Sequence, residues 1–329
     1  TYTVQFQLPG SGSVTNVAAV ASSTPDLSGP NNVSSLVTTV TPAQPGCVAD
    51  PVTNLSELRA AIADTDCTIV NVTPGTYLLS SDAGGELVID RGVTVRNTGG
   101  GRVILDANGA SGVFYLKDVV EPISLTGLTI QGGQLDGDGA GIFAEVVTLN
   151  LTSSTISGNA VVNGDKGAGL FLKNTTTLIQ NSTISGNTAN KEGGGLYIEN
   201  GTVSVVNGTI ANNSATEEGG AVYNKGGTLT LRNSILADNT QATGGQIWLD
   251  GGSTVSNGYN LVEGGCTGCQ ASDLTSDPNL GLLAANGGDT YTHALLSGSP
   301  ALDAGLDADA PSTDQRSITR PQGLFSDMG

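Results

Sequence analysis

The sequence predicts an all-β fold, a right-handed parallel β-helix of about 26 residues per turn, with a short N-terminal capping helix and an extended N-terminal segment. The main observation is a repeat, because Gly-rich motifs recur at spacings of 28, 26, 26 and 25 residues. Each repeat contains short alternating apolar stretches rich in β-branched residues and no helix-length pattern. With 48 Gly against 5 Phe, 7 Tyr and 1 Trp, the core must consist of small and aliphatic side chains. The motifs begin at Gly139, Gly167, Gly193, Gly219 and Gly244.

The repeat divides the chain into four predicted segments. Before the repeats, Leu55, Leu58 and Ile62 have helical spacing, with Asn54 or Ser56 as the N-cap. This helix is expected to cover the open end of the coil, because an exposed last turn leaves unpaired backbone and apolar surface. The segments are an extended arm at 1–46, an N-terminal cap at 47–67, the parallel β-helix at 68–265 and a C-terminal capping region at 266–329.

Equivalent residues of successive turns form columns, which become ladders in space because neighbouring strands lie about 4.8 Å apart. Three columns are almost entirely aliphatic. They predict the buried interior of the coil. Their members are Ile142, Leu170, Leu196, Val222 and Ile247; Ala144, Leu172, Ile198, Asn224 and Leu249; and Ile156, Ile184, Ile210 and Leu236.

The column next to the second aliphatic one alternates in charge, as expected where opposite charges are neighbours on an outer face. Its members are Glu145, Lys173, Glu199, Lys225 and Asp250. Side chains alternate between the two faces of a strand, so the residues two positions earlier also point outward. These are Phe143, Phe171, Tyr197, Tyr223 and Trp248. We interpret this aromatic stripe as an interaction surface.

Asparagine recurs at two other positions of the repeat, and both predict corners of the coil. Asn tolerates the left-handed turn conformation and can hydrogen-bond along a stack of identical residues. We therefore interpret these residues as corner residues and not as binding residues. The two columns are Asn181, Asn207 and Asn233, and Asn159, Asn187, Asn213 and Asn239.

The charge balance limits the partners. The chain has 30 acidic against 12 basic residues, a formal net charge of −18, which repels nucleic acids and anionic lipids. A polyanionic sugar is disfavoured for the same reason unless a divalent cation bridges the two. The remaining partners are other copies of the chain, other surface proteins and neutral glycans.

The cysteines and the chain start indicate an exported protein. The two sequence-local couples, Cys47 with Cys67 and Cys266 with Cys269, predict two disulfides and an oxidising compartment. The sequence begins at Thr1 without Met and contains no run of 18 apolar residues, so we expect a processed product without a transmembrane segment. The predicted location is extracellular or at the cell surface.

The residues give little sign of catalysis, so the sequence does not predict an enzyme. The dense carboxylate pair inside the coil, Asp136 and Asp138, lies in a Gly-rich turn and is interpreted as a solvated loop, with a calcium site as the alternative. A lyase would need a basic residue beside a calcium-bridged acid, whereas Lys166, Lys173 and Arg232 occur singly among acidic neighbours. Serine chemistry is not predicted because the single histidine, His293, is far from any Gly-x-Ser-x-Gly motif. No catalytic residue and no cofactor are predicted.

Four motifs give a resemblance to a known family. They are LRAAI at 58–62, PGTYLL at 74–79, DPNLGLLAANGGDTYTHALLSGSPALDAG at 277–305 and DQRSITRPQG at 314–323. Over about residues 50–329 the chain resembles secreted bacterial β-helix proteins of the choice-of-anchor Q, pectin-lyase-like family. The resemblance implies a right-handed β-helix at the cell surface without an assigned activity. It also implies that Asp277, His293, Asp303 and Arg320 are architectural.

The first residues lie outside this resemblance and contain one strand pattern. Tyr2, Val4, Phe6 and Leu8 alternate with polar residues, a strand that needs a partner. It either packs on its own coil or adds to a neighbouring molecule, which would build filaments. The sequence thus predicts a non-catalytic structural or adhesive surface protein that assembles through this strand and the outward ladders. The alternatives are a glycan-binding module and a polysaccharide lyase or hydrolase.

Overall fold

The computed structural model describes residues 12–19, 33–40, 51–163 and 165–329. The chain forms two units, Thr1–Gln44 and Pro45–Gly329. In the first unit, the strands β1 (Gly12–Ala19) and β2 (Val33–Val40) pair antiparallel. The second unit is a right-handed coil of parallel strands with about 7 turns of roughly 26 residues. The predicted fold class is therefore confirmed.

The second unit begins with the helix α1 (Leu55–Ala63). The strands of the early turns are β3 (Ile69–Val72), β4 (Gly75–Leu78), β5 (Leu87–Ile89), β6 (Thr94–Asn97), β7 (Val103–Asp106), β8 (Phe114–Lys117), β9 (Ile123–Thr126), β10 (Leu128–Gln131) and β11 (Gln134–Leu135). The regular turns contain β12 (Ile142–Glu145), β13 (Thr148–Thr152), β14 (Thr155–Ser157), β15 (Ala160–Val161), β16 (Leu170–Gln180), β17 (Thr183–Ser185), β18 (Thr188–Ala189), β19 (Leu196–Val206), β20 (Thr209–Ala211), β21 (Ser214–Ala215), β22 (Val222–Lys225), β23 (Thr228–Arg232) and β24 (Ile235–Ala237). The last strands are β25 (Ile247–Asp250), β26 (Ser253–Ser256), β27 (Leu261–Val262), β28 (Leu280–Ala284) and β29 (Thr292–Leu295), and short 3₁₀ turns lie at Leu79–Ser81 and Asp307–Asp309.

Three parallel sheets form the walls of the coil. The largest has 13 strands, including the path from β3 through β16 and β19 to β25. The second has 8 strands, from β4 through β14, β17 and β20 to β27, and the third is the short sheet β11-β15-β18-β21. Successive turns pair in register, so that Leu170 lies beside Leu196 and Ile184 beside Ile210. Each column of the sequence is therefore a ladder in the structure.

The predicted interior columns form one continuous core. Leu170, Leu196 and Val222 are fully buried, and so are the aliphatic residues of the third column from Ile156 to Leu236. At the last turn, Ile247 is only partly buried, because among the described strands β25 ends the main path of the sheet. The polar member, Asn224, donates to the Ser253 carbonyl at 2.9 Å and accepts from the Gly227 N–H at 3.0 Å, which satisfies its buried amide.

The predicted N-terminal helix is present, with Asn54 as its N-cap. The Asn54 side chain accepts a 3.0 Å hydrogen bond from the Glu57 N–H, which satisfies one of the free amides of the first turn. Leu55, Leu58 and Ile62 form the buried side of the helix, as their spacing predicts. Just before the helix, the Val52 N–H donates to the Asn71 carbonyl at 2.8 Å. This bridge continues the pairing of the first coil strand β3 by one residue.

The two asparagine columns have different backbones. Asn181, Asn207 and Asn233 adopt the predicted left-handed conformation, with φ of 47°, 48° and 49°. In the other column the left-handed residue is the one before the asparagine, and it is Gly158, Gly186, Asn212 or Asp238. The prediction of left-handed geometry is therefore wrong for Asn159, Asn187, Asn213 and Asn239. That turn directs the asparagine side chains into the coil, where they are buried.

The predicted C-terminal capping region has two parts with different positions. Residues 266–275 lie beside the last turn, where Val262 donates to the Leu274 carbonyl at 2.9 Å and Gly264 to the Thr275 carbonyl at 3.0 Å. Residues 277–329, which we term the C-terminal strap, run back along the outer side of the 8-stranded sheet. Thr155 Oγ1 donates to the Tyr291 carbonyl at 2.6 Å, and Gly329 N donates to the Asn233 carbonyl at 2.7 Å. The strap therefore spans several turns of the coil.

Candidate functional site

The outer face of the 13-stranded sheet carries the predicted charge ladder from Glu145 to Lys225, while Asp250 accepts a 3.3 Å hydrogen bond from the Tyr223 hydroxyl and does not pair with Lys225 in the register of the sheet. Glu145, Lys173, Glu199 and Lys225 are direct neighbours on successive turns. Lys173 Nζ lies 2.7 Å from Glu145 Oε1, and Lys225 Nζ lies 4.0 Å from Glu199 Oε1. The Glu145 carboxylate raises the pKa of Lys173, because it accepts a hydrogen bond from the ammonium group. The side chains remain partly exposed, so the row is available to a partner.

The predicted aromatic stripe forms a stacked ladder outside the coil. Adjacent rings of Phe143, Phe171, Tyr197 and Tyr223 have centroids 5.0–5.2 Å apart and planes within 8° of parallel. Tyr115 extends the stack at the N-terminal side, with its centroid 5.0 Å from that of Phe143. The sequence repeat becomes regular only after residue 139, and for this reason Tyr115 was missing from the predicted stripe. We call these five residues the aromatic ladder.

The middle of the aromatic ladder is buried, which corrects the expectation of an exposed stripe for three of its members, whereas Phe143 and Tyr115 are partly exposed. Phe171, Tyr197 and Tyr223 expose only 3%, 1% and 7% of their surface. Each ring covers the faces of its neighbours, and the Gly-rich turn before each strand lies against the backbone at the base of the aromatic side chain. A Cβ at Gly167, for example, would lie 3.0 Å from the Phe171 Cα. The ring faces that could stack on a sugar or a protein are therefore occupied.

Trp248, the last member of the predicted stripe, is partly exposed. It pairs with Tyr223 in the register of the sheet, and a Cβ at Gly244 would lie 2.6 Å from its ring. Trp248 lies on β25, the last strand on the main path of the 13-stranded sheet. Among the described strands, none follows β25 on this path to cover the Trp248 ring, which distinguishes it from the three buried rings.

Loops next to the aromatic ladder also bring carboxylates together. In the described part of the chain, one group of three acidic side chains converges, with ligand atoms of Glu192, Glu217 and Glu218 all within 4.8 Å of one another. Glu192 is buried, and its Oε2 lies 3.1 Å from Lys166 Nζ. Although burial opposes the charge of Lys166, its hydrogen bonds to Glu192 and Tyr197 raise its pKa overall. We call the three glutamates the acidic loop cluster.

This cluster was not found from the sequence. Glu217 and Glu218 are adjacent in the chain, but Glu192 belongs to the previous turn. The available signal was that the same loop carries acidic residues in consecutive repeats, which places them one strand spacing apart. Two close carboxylates are what glycoside hydrolysis requires. Lys166, however, supplies Glu192 with a positive partner, so the cluster already has part of its countercharge.

The predicted calcium candidates, Asp136 and Asp138, occupy the equivalent loop two turns earlier. Asp138 Oδ1 accepts a 2.9 Å hydrogen bond from the Lys166 N–H, and burial raises the pKa of Asp138. Burial, together with the charge of Asp136, also raises the pKa of Asp165. Asp136 and Asp138 are not part of the group of three converging ligands. The calcium site at these two residues stays a prediction.

The strap brings His293 to a serine of the coil, a pairing that the sequence did not suggest. His293 Nε2 lies 2.9 Å from Ser185 Oγ, and its Nδ1 lies 2.7 Å from the Gly281 carbonyl. This arrangement resembles a nucleophile and its base. Ser185 is only 2% exposed, however, so a substrate has no access to its hydroxyl. The pair connects the strap to the coil, in agreement with the architectural role that the resemblance implies for His293.

The other residues that the resemblance implies to be architectural also make contacts within the strap or to the coil. Arg320 donates to Asn181 Oδ1 at 2.8 Å and to the Thr313 carbonyl at 2.6 Å. Asp303 accepts from the Phe325 N–H at 3.2 Å. Asp277 accepts from the Asn279 N–H at 2.7 Å. These side chains position the strap.

The predicted disulfides and the predicted N-terminal strand lie toward the two ends of the chain. Cys266 and Cys269 form the expected disulfide. Cys67 is also disulfide-bonded, whereas Cys47 lies outside the described residues. Tyr2, Val4, Phe6 and Leu8 of the predicted N-terminal strand also lie outside them. Among residues 51–163 and 165–329, no helical segment has the length and hydrophobicity of a membrane span.

A comparison with protein families agrees with this architecture. The family model described as a right handed beta helix region matches residues 64–264. The chain belongs to the right-handed β-helix family. Searches of curated proteins and of solved structures found no match. Membership in this family assigns the coil but no reaction, because one fold supports many functions.

Proposed function

We propose that this β-helix protein is a non-catalytic structural or adhesive protein of the extracellular space or the cell surface. The main observation that supports this proposal is the charge ladder. Its side chains alternate in sign at intervals of one turn, from Glu145 to Lys225. A second copy that lies alongside with a shift of one turn would place opposite charges together along the whole row. The ladder is thus suited to lateral association of identical molecules.

Two further observations support the location. In the part of the chain that the structure describes, Cys67, Cys266 and Cys269 are all disulfide-bonded, as suits an oxidising compartment. The resemblance of the C-terminal motifs to bacterial choice-of-anchor Q proteins points in the same direction. We therefore place the protein outside the cell.

The N-terminal strand supplies a second mode of association in this proposal. Its alternating residues Tyr2, Val4, Phe6 and Leu8 fit the addition of a strand to a neighbouring molecule. Together, strand addition and lateral pairing would build filaments or bundles. The buried members of the aromatic ladder have no part in either contact.

Charge reversal at the ladder tests the lateral contact. We expect the double variant Lys173→Glu and Lys225→Glu to lose self-association, because it places like charges together within and between molecules. The measurements are negative-stain microscopy and light scattering of the full chain at low salt and at about 0.5 M salt, where surface charges are screened. Lys191→Glu, a loop lysine outside the ladder, is the matched control for the single ladder variant Lys225→Glu, because both reverse one charge. A wild-type protein that remains monomeric at low salt would contradict the lateral contact.

The N-terminal contact has its own paired variants. Val4→Lys with Phe6→Lys alters one side of the predicted strand, and Gln5→Lys with Gln7→Lys adds equal charge to the other side. We expect only the first pair to shorten filaments, because it removes the apolar side that a neighbour would bury. Equal effects of the two pairs would rule out this mode.

The acidic loop cluster favours a second candidate function, a polysaccharide lyase or hydrolase. Glu192, Glu217 and Glu218 converge as a two-carboxylate mechanism would need, beside the Lys166 ammonium group. Release of sugar products from neutral and acidic polysaccharides, with and without calcium, tests it. Products that disappear in Glu217→Gln would establish the enzyme. A glycan array tests the remaining alternative, a glycan-binding module.

A further inference from the structure

A cavity of about 220 Å³ lies between the C-terminal strap and the outer side of the 8-stranded sheet. The coil lines it with Thr183 and Thr209, and the strap contributes the remaining lining residues, including Arg320 and Ser326. Pockets for drug-sized ligands measure about 300–1,000 Å³, so this cavity suits a smaller molecule or an ion. The hydrogen bonds of its lining residues indicate which ligand class fits.

Arg320 uses only part of its hydrogen-bonding capacity. Its Nη1 donates to Asn181 Oδ1 at 2.8 Å and to the Thr313 carbonyl at 2.6 Å, and its Nη2 donates to the Gly329 carbonyl at 3.1 Å. A guanidinium group has five N–H donors, so Nε–H and one N–H of Nη2 are left without an acceptor among the described residues. Nε and Nη2 share one edge of the guanidinium plane, and such an edge binds two oxygens of one anion.

The positive charge of Arg320 also lacks a direct countercharge. All three of its acceptors are neutral oxygens, and in the described part of the chain it makes no ion pair. Burial lowers the pKa of Arg320, although Asp314 and Asp327 act in the opposite direction. Asp314 Oδ2 accepts two hydrogen bonds from Arg316, at 2.8 Å and 2.6 Å, so this carboxylate is already paired. Arg320 is therefore the lining cation that a bound anion would neutralise.

Ser326 supplies a second unused donor. It lines the same cavity and is only 1% exposed, and its Oγ has no hydrogen-bond partner within the described ranges. Its backbone is fixed, because its N–H donates to Asp307 Oδ1 at 2.7 Å and its carbonyl accepts from the Gly305 N–H at 2.7 Å. A buried hydroxyl without a partner is unfavourable, so a ligand oxygen that accepts from it gains affinity.

We propose that the cavity between strap and coil binds a small oxyanion, held by the free edge of Arg320 and by the Ser326 hydroxyl. Carboxylates, phosphate and sulfate share this chemistry. Asp327 limits the affinity, because its carboxylate lines the same cavity and repels an anion. The site is independent of the proposed function, since the charge ladder lies on the 13-stranded sheet and anion binding requires no self-association.

Calorimetric titration of the full chain with acetate, phosphate or sulfate tests this proposal, with NaCl keeping the ionic strength constant. We expect one saturable site for at least one of the three anions, and a roughly tenfold or larger loss of affinity in Ser326→Ala, which removes a hydrogen bond to a charged group. Ser204→Ala makes the same change on the 13-stranded sheet and should keep the wild-type affinity. No saturable binding of any of the three anions would overturn the proposal, as would wild-type affinity in Ser326→Ala.

Thermal unfolding separates loss of binding from loss of structure. Without added oxyanion, Ser326→Ala loses no hydrogen bond of its hydroxyl, so its stability should equal or exceed that of the wild type. The anion that binds should raise the unfolding temperature of the wild type and raise it less in the variant. An equal rise in both proteins would count against Ser326 as a ligand of the anion.

Two further variants act on the charge of the cavity in different ways. Arg320→Lys keeps the charge but lacks the planar edge, so we expect at least a tenfold loss of affinity. Asp327→Asn keeps an oxygen that accepts from the Asp303 N–H and removes the repelling charge, so affinity should rise about threefold or more. If Arg320→Lys does not fold, Asp327→Asn decides alone, because general damage to the strap cannot tighten binding. Unchanged or weaker binding in Asp327→Asn would contradict an anion in this cavity.

Discussion

At the scale of single residues, the inner asparagine column stabilises the corner of the coil. Asn187 Nδ2 donates to Asn213 Oδ1 at 2.8 Å and to the Ile156 carbonyl at 3.0 Å, and Asn159 N–H donates to Asn187 Oδ1 at 3.1 Å. The same pattern recurs at Asn213 and ends at Asn239. Each side chain thus satisfies buried backbone groups of the adjacent turns. An amide suits this role because it supplies donors and an acceptor without a charge to desolvate.

Removing one member of this column should be costly. We expect Asn213→Ala to lower the free energy of unfolding by about 3 kcal/mol or more, since the Ile184 carbonyl, the Asn187 N–H and the Asn187 side chain lose their partner in the interior. Urea unfolding followed by circular dichroism gives the value. Thr188→Ala, at an exposed position of the preceding turn, is the control and should change stability little. A similar loss in both variants would contradict the special role of the asparagine.

At the scale of elements, the glycine turn before each aromatic strand packs closely against the strand that follows it. Gly139, Gly167, Gly193 and Gly219 all have positive φ, between 64° and 75°. Gly193 also approaches its own strand so closely that a Cβ would lie 2.6 Å from the Leu196 carbonyl. Glycine is thus required both by the backbone conformation and by the lack of space. The rings of Phe171, Tyr197 and Tyr223, with Phe143 and Trp248 packed against them, form a small second core outside the coil, separate from the main one.

Substitution of a central ring should therefore act on stability. We expect Tyr197→Ser to lower the free energy of unfolding by about 3–5 kcal/mol, because the ring is buried and stacked on both sides. Tyr115→Ser, at the end of the stack and partly exposed, should cost clearly less. Thermal unfolding of both variants checks which one loses more stability. A folded Tyr197→Ser variant with wild-type stability that fails to self-associate would restore the interaction role of the stripe.

At the scale of the whole molecule, the coil is a linear array in which each turn contacts only its neighbours. Loss of stability at an end should therefore remain local, whereas the same loss in the middle separates two halves. The first turn is covered by the helix α1, and the last one by residues 266–275. The strap adds contacts that link turns far apart in sequence, which makes the array more cooperative.

Two matched cavity variants test this architecture. Ile184→Ala in the middle turn and Val262→Ala in the last strand both remove fully buried aliphatic groups. We expect Ile184→Ala to cost about 2–5 kcal/mol and to raise exchange throughout the coil. Val262→Ala should raise exchange only near residues 247–275. Exchange that rises over the whole coil in both variants would show a single cooperative unit.

The sequence by itself determined the coil, because the repeat spacing and the alternation of inward and outward side chains recur in every turn. The spacing near 26 residues placed Leu170, Leu196 and Val222 in one buried column, and alternation along the strand placed Lys173 outside. The cap of the first helix was also readable, since Asn54 acts on residues three positions away. All these features depend on residues that are close in the chain or one repeat apart.

Only the tertiary structure decided what covers the outer faces. His293 and Ser185 are 108 residues apart, and Thr155 and Tyr291 are 136 apart, so no local pattern connects them. Alternation along the strand correctly placed Tyr197 outside the coil, but its burial depends on the rings of Phe171 and Tyr223 on the adjacent turns, which stack on its two faces. The direction of a side chain follows from local backbone geometry, whereas its exposure depends on which distant segment folds over it.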